Sequence, residues 1–184
     1  MEAEHVDAAG ADATLFPELA GRSTAVLSPD GRYRYRLDRT WDPARVHAVF
    51  VMLNPSTADA DEDDPTIRRC IGFARRFDCG GITVVNLFGY RSTDPARLLL
   101  APDPVGPDNA TIVDGVLAAA ATQHVFAAWG AAADLPSVAT MASRFTAKAA
   151  DAGIQLLCLG TTYAGHPRHP LYVPADVEVL PWPR

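Results

Sequence analysis

Four polar clusters in this chain have residue types and spacings that suit chemistry. Asn54-Pro55-Ser56 follows directly on the unbroken apolar run Val49-Phe50-Val51-Met52-Leu53. Asn86 closes a second, mostly apolar run that leads through Leu87-Phe88 into the polar loop Tyr90-Arg91-Ser92-Thr93. His166-Pro167-Arg168-His169 lies in a late polar loop, and Asp59-Ala60-Asp61-Glu62-Asp63-Asp64 is a dense acidic run. A carboxamide is no strong base, but its carbonyl oxygen can orient a water. An imidazole can donate to negative charge that develops on a leaving group, an effect worth about 3 kcal/mol where water is excluded. Clustered carboxylates offer the oxygen ligands that hard cations such as Mg²⁺ prefer.

These side chains act together only if the fold brings them together. An apolar run bounded by Asn-Pro reads as a strand buried on both faces, as in a parallel sheet. Residues 46–53 form that strand, and Asn54 stands at its carboxyl end. From Pro65, apolar residues Ile67, Cys70, Ile71, Phe73, Ala74 and Phe77 recur at helical spacing, with Asp64 as the cap and Gly80-Gly81 as the stop. Further strands are expected at 82–88, 124–129 and 154–159, and an edge strand at 177–180. Helices are expected after Pro95, from Asp108 or Asn109 to Ala121, and from Leu135 to Ala152. Strand alternating with helix at this spacing predicts right-handed crossovers and a three-layer α/β sandwich around a central, mostly parallel sheet. Thr24 to Leu27, the turn Ser28-Pro29-Asp30-Gly31 and the alternating Tyr33 to Leu37 add an N-terminal β-hairpin. Ligands of such sheets bind where the strands' carboxyl ends meet. Asn54, Asn86, Gly130 and the 160–169 loop should share that edge.

At 184 residues with 48% hydrophobic content, the chain suits one domain with a real core. Residues 1–22 read as a flexible tail and 23–184 as a single α/β domain. No apolar run approaches the roughly 20 residues that span a bilayer, and the acidic start does not resemble a secretory signal. A soluble, cytoplasmic protein without membrane contact is expected. The three cysteines have no metal-ligand spacing and read as reduced, structural thiols. A net charge of −6 argues against coating nucleic acid nonspecifically. Arg75 and Arg76 read as a solvated, acid-paired helix face, while Arg68 and Arg69 on the same segment, with Arg91, Arg97 and Arg168 near the expected ligand edge, leave a basic rim as the alternative. No P-loop, CxxC pair or HExxH is present, and no cofactor is expected.

The motifs Met52-Leu53-Asn54-Pro55-Ser56-Thr57-Ala58-Asp59, Asp64-Pro65-Thr66-Ile67-Arg68-Arg69-Cys70, Asn86-Leu87-Phe88 and His166-Pro167-Arg168-His169-Pro170-Leu171-Tyr172 resemble a bacterial and phage family known as a domain of unknown function. More distantly, Asn-Pro at the first buried strand's end, Asn at the next, and a late His-Pro loop are similar to the uracil-DNA glycosylase superfamily. That resemblance implies a uracil-DNA-glycosylase-like fold and hydrolysis of an N-glycosidic bond in DNA, RNA or a nucleotide. It puts Asn54 on the residue that positions the attacking water and His166 on the residue that stabilises the departing base. It puts Asn86 on the base edge and Phe88 or Tyr90 on the stacking aromatic. Pro55, Ser56, Arg91, Arg168 and His169 complete the expected substrate contacts. Two other readings accompany it: a non-catalytic nucleotide or nucleic-acid binding module, and a metal-dependent phosphodiester hydrolase built on the acidic run.

Overall fold

A computed structural model describes residues 21–120 and 124–183; the expected tail lies almost entirely outside them. The elements are β1 (Arg22–Leu27), β2 (Arg34–Thr40), β3 (His47–Met52), α1 (Pro65–Arg76), β4 (Gly81–Asn86), α2 (Pro95–Leu100), α3 (Asn109–Ala119), β5 (His124–Ala127), α4 (Pro136–Asp151), β6 (Leu157–Cys158) and β7 (Leu180–Pro181). They form one seven-stranded sheet in the order β1-β2-β4-β3-β5-β6-β7.

The expectation of a mostly parallel sheet needs correction. The pairs β4·β3, β3·β5 and β5·β6 are parallel, whereas β1·β2, β2·β4 and β6·β7 are antiparallel. The sheet is therefore mixed, a parallel centre with antiparallel flanks, because the hairpin strand β2 joins the same sheet and the chain turns back at its end. β6 is also shorter than the apolar pattern at 154–159 predicts. Only two of its residues pair with β5, and the Leu156 carbonyl instead accepts the Trp182 N–H at 2.8 Å.

β3 is the strand on which the rest is arranged. Its alternate residues Ala48, Phe50 and Met52 join one core cluster with α1, while Val49, Val51 and Leu53 join another with α3 and α4. That explains its unbroken apolar sequence: a strand with helices over both faces has no side to leave polar. The chain leaves β3 through α1 to β4 on one side, then returns past α2 and α3 to β5 on the other. The order of strands reverses at β3, and the crevice at such a reversal is where an open α/β sheet takes its ligands.

Irregular segments at this edge carry backbone carbonyls that must find donors, and arginines supply many of them. Arg91 reaches the carbonyls of Ser56 and Thr57, Arg34 that of Ala58, and Arg39 that of Asp59 at 2.6 Å. Arg39 also pairs with Asp63 at 2.9 Å. From α1, Arg69 donates to Pro170 and Val173, and Arg76 to Ala175 and Val177. Arg69 and Arg76 thus fasten the C-terminal segment to the helix, and of these the sequence suggested a solvated face for Arg76. Arg75 stays exposed, over the Trp41 ring at 5.3 Å.

Arg69→Ala should lower the unfolding free energy by about 1.5–3 kcal/mol, the range for hydrogen bonds to a charged donor. Arg75→Ala should cost no more than about 0.5–1 kcal/mol, as for an exposed cation–π contact. Urea unfolding of the two variants measures the contrast, and equal losses would contradict the fastening role.

Candidate functional site

The exit turn of β3 builds the first wall of a cavity of about 590 Å³. Asn54 follows the last buried residue of the strand and is itself half-buried. Its Nδ2 donates to the Ser92 carbonyl at 2.7 Å and to the Pro55 carbonyl at 3.1 Å. Pro55 is buried, and its carbonyl also accepts the Ser92 N–H at 2.9 Å. Both amide hydrogens are therefore used to tie the turn to the loop after β4, which fixes the orientation of the carboxamide. Oδ1 is the group left to meet a ligand.

Asp64 forms the second wall. As the N-cap of α1 its Oδ1 accepts the Ile67 N–H at 2.9 Å, and Pro65 and Thr66 line the cavity beside it. The sequence marked Asp64 as a cap and as part of the acidic run, not as a wall of the Asn54 cavity. A signal was available: in a βα unit the helix starts at the strand's carboxyl edge, so its capping residue stands at the ligand edge as well.

The third wall is the late loop. Gly130 (φ +77°) turns the chain after β5, and a Cβ there would stand 3.3 Å from the Cβ of His169. The Gly130 N–H donates to the Pro167 carbonyl at 3.0 Å, joining the β5 exit to the loop. His169 caps the short 3-10 turn Pro170–Tyr172, its Nδ1 accepting the Leu171 N–H at 3.3 Å. An accepting Nδ1 assigns the proton of the neutral ring to Nε2. Burial lowers the pKa of His169 below the ordinary histidine value, and the negative charge of Asp64 opposes that shift. The cavity is thereby equipped with an amide oxygen, a carboxylate and a neutral imidazole donor. Arg168 also lines it, with its guanidinium on the Tyr172 carbonyl at 2.6 Å, and so does Ser56.

The remaining expected residues lie elsewhere. His166 lines a separate cavity of about 480 Å³ between α4 and the C-terminal residues, with Ser143, Thr146 and Trp182. Trp129, 2% exposed, lines both cavities and stands between them. The structure does not bring His166 to Asn54. It brings His169 there instead, because Gly130 and the 3-10 turn seat that ring. Asn86 is 1% exposed and borders a third cavity, of about 200 Å³, between α3 and α4. Neither of its amide atoms has a partner among the described residues. Phe88 is core, packed with Leu87, Leu98 and Val116, because strand pairing continues past Asn86 through the bond from Phe88 N–H to the Leu53 carbonyl. Tyr90 meets Tyr33 edge-on at 5.7 Å and, with Arg91, lines a groove adjoining the main cavity.

The acidic run is organised one residue at a time. Asp59 Oδ1 accepts the N–H groups of Asp61 and Glu62 at 3.0 and 3.1 Å, Asp63 pairs with Arg39, and Asp64 caps α1. Among the described residues no three His, Cys, Asp or Glu form a group that could hold a metal ion. All three cysteines are buried. No helix among the described residues is long and apolar enough to cross a membrane.

A family model described as "Protein of unknown function (DUF1643)" matches residues 34–171. No curated protein and no solved structure matches the chain.

The lowered pKa of His169 sets a pH dependence. The unfolded ring titrates near 6.5 and the folded ring below it. The unfolded state therefore binds the proton first as pH falls, and stability intact above about pH 6.5 is lost on descending through the folded-state pKa. His47, shifted the same way by burial, adds to the loss. The urea midpoint should drop between about pH 7.5 and about pH 5.5, and His169→Asn, which keeps an acceptor for the Leu171 N–H without titrating, should shrink the drop. An undiminished drop in that variant would place the effect outside this cavity.

Proposed function

For this chain, which belongs to the DUF1643 family by a match over residues 34–171, we propose recognition of a nucleobase, in nucleotide or nucleic-acid form, and hydrolysis of its N-glycosidic bond. The observation that carries the reading is the convergence of the Asn54 amide, the Asp64 carboxylate and the His169 imidazole on one cavity at the strand-order reversal. Its volume falls within the range of about 300–1,000 Å³ usual for small-molecule sites. A uracil-DNA-glycosylase-like architecture is the corresponding reading of the parallel centre β4-β3-β5-β6.

The reaction divides among these groups as follows. Asn54 Oδ1 and Asp64 hold a water against the anomeric carbon. As the C1′–N bond breaks, its electron pair moves to the base nitrogen and positive charge grows on the sugar. The water oxygen bonds to C1′, and its proton passes to the Asp64 carboxylate. His169, neutral with its proton on Nε2, donates to the base as negative charge accumulates there. A depressed histidine pKa favours this role, because the neutral donor is then the resident form at physiological pH.

The test is base release from a panel of uracil-containing and modified single-stranded and duplex DNAs, RNAs and free nucleotides. Asn54→Ala and His169→Ala should each slow release by about 10²–10³-fold, as loss of a preorganised hydrogen-bonding group does. Asp64→Asn keeps a good N-cap while removing the charge and should slow the chemical step with little change in stability. Loss in His166→Ala with none in His169→Ala would return the imidazole role to His166. Binding without release from any substrate would instead support the non-catalytic module.

A further inference from the structure

Resting on the reading of the cavity as a nucleobase site, we propose that the adjoining groove is a phosphate subsite, so that the ligand is a phosphorylated nucleoside unit and not a free base or nucleoside. The groove, about 340 Å³, shares Ser56, Thr57, Ser92 and Thr93 with the main cavity. These four form a common rim across which one ligand can lie. Beyond the rim stand Arg91 and Arg97. None of the groove's lining residues is acidic, although the chain as a whole carries 22 acids against 16 lysines and arginines.

The two guanidiniums differ in how they are held. Arg91 contacts the carbonyls of Ser56, Gly31 and Thr57 at 3.5, 3.4 and 3.2 Å. Those distances are at or beyond the long end of the hydrogen-bond range, and a guanidinium has five N–H donors. The group is positioned but not saturated. Arg97 is exposed, while its neighbour Leu98, fully buried, anchors α2 to the core. An anchored helix therefore presents an exposed guanidinium to a groove that already holds a second one and a rim of hydroxyls. A tetrahedral anion with several acceptor oxygens matches that donor set, and arginine forks suit phosphate in particular. A nucleotide monoester and a strand diester share this chemistry.

Arg97→Gln is the informative variant, since Arg91 also helps hold the 56–57 backbone. Inorganic phosphate, titrated against chloride at matched ionic strength, should shift the Arg91 and Arg97 Nε–Hε resonances. A nucleoside 5′-monophosphate or a short single strand should bind at least about tenfold tighter than the matching nucleoside, and Arg97→Gln should remove most of that increment while leaving nucleoside affinity unchanged. The monophosphate and the strand, compared directly, show which source the groove takes. Absence of both the phosphate-induced shifts and the increment, or an increment indifferent to Arg97→Gln, overturns the subsite. The cavity reading stands apart: base release without a phosphate increment defeats the subsite alone, and an Arg97-dependent increment without base release defeats the reaction alone.

Discussion

The site depends on arginines bonded to backbone carbonyls. A loop that leaves a buried strand at a sheet's edge has no ladder to satisfy its peptide groups, yet Ala58 within it is 1% exposed. Arg34, Arg39 and Arg91 meet the carbonyls of four successive residues, Ser56 to Asp59. Arg34 is the extreme case. It is 1% exposed, and burial lowers its pKa to about 10, which still leaves it charged at neutral pH. A lysine in its place would present a point charge without the planar fork and would lose its proton more readily on burial. Holding a loop this way costs desolvation, but it fixes the backbone between Asn54 and Asp64 without regular structure.

That arrangement also accounts for what was legible in the sequence. Elements defined by apolar period were readable: β3, α1, β4, α3 and α4 lie within a few residues of their expected places, and the Ser28-Pro29-Asp30-Gly31 hairpin is present with β1 and β2 paired. The parallel direction of β3 to β6 and the antiparallel hairpin were readable from the connections, but the pairing of β2 with β4 in the same sheet was not, because period two does not name a strand's neighbour. The roles of Arg34, Arg69 and Arg76 were hidden for a related reason. Their partners are peptide carbonyls, which every residue has, so no complementary residue type marks the contact. Phe88, the last residue of the strand expected at 82–88, was given a stacking role only by the resemblance, whereas its ring packs in the core.

The two histidines show a finer limit. His166 and His169 stand three apart in an irregular loop, where neither helical nor strand periodicity assigns a direction to a side chain. What separates them is tertiary. Residues 160–168 fold back on themselves, with Thr162 N–H on the His166 carbonyl at 2.8 Å and Arg168 N–H on the Gly160 carbonyl at 3.0 Å. That small closed loop leaves His166 beside Trp182, while the chain emerging from it crosses Gly130 and carries His169 to the opposite side of Trp129. His169 was among the expected contacts of the Asn54 cavity; that His166 would face a different cavity was not foreseeable.

α1 makes the site a cooperative unit. Its first residue follows Asp64, its inner face packs on β3 and β4, and its arginines hold the carbonyls of Pro170, Val173, Ala175 and Val177. The segment so fastened begins immediately after His169. The carboxylate and the imidazole, 105 positions apart in the chain, are therefore referred to a single rigid body, and the amide is referred to it through the strand on which that body packs. A displacement of the C-terminal segment would remove His169 and Arg168 together while leaving Asn54 and Asp64 in place. Formation of the complete cavity is for that reason tied to docking on α1, to which the carbonyl contacts and the burial of Val173 both contribute.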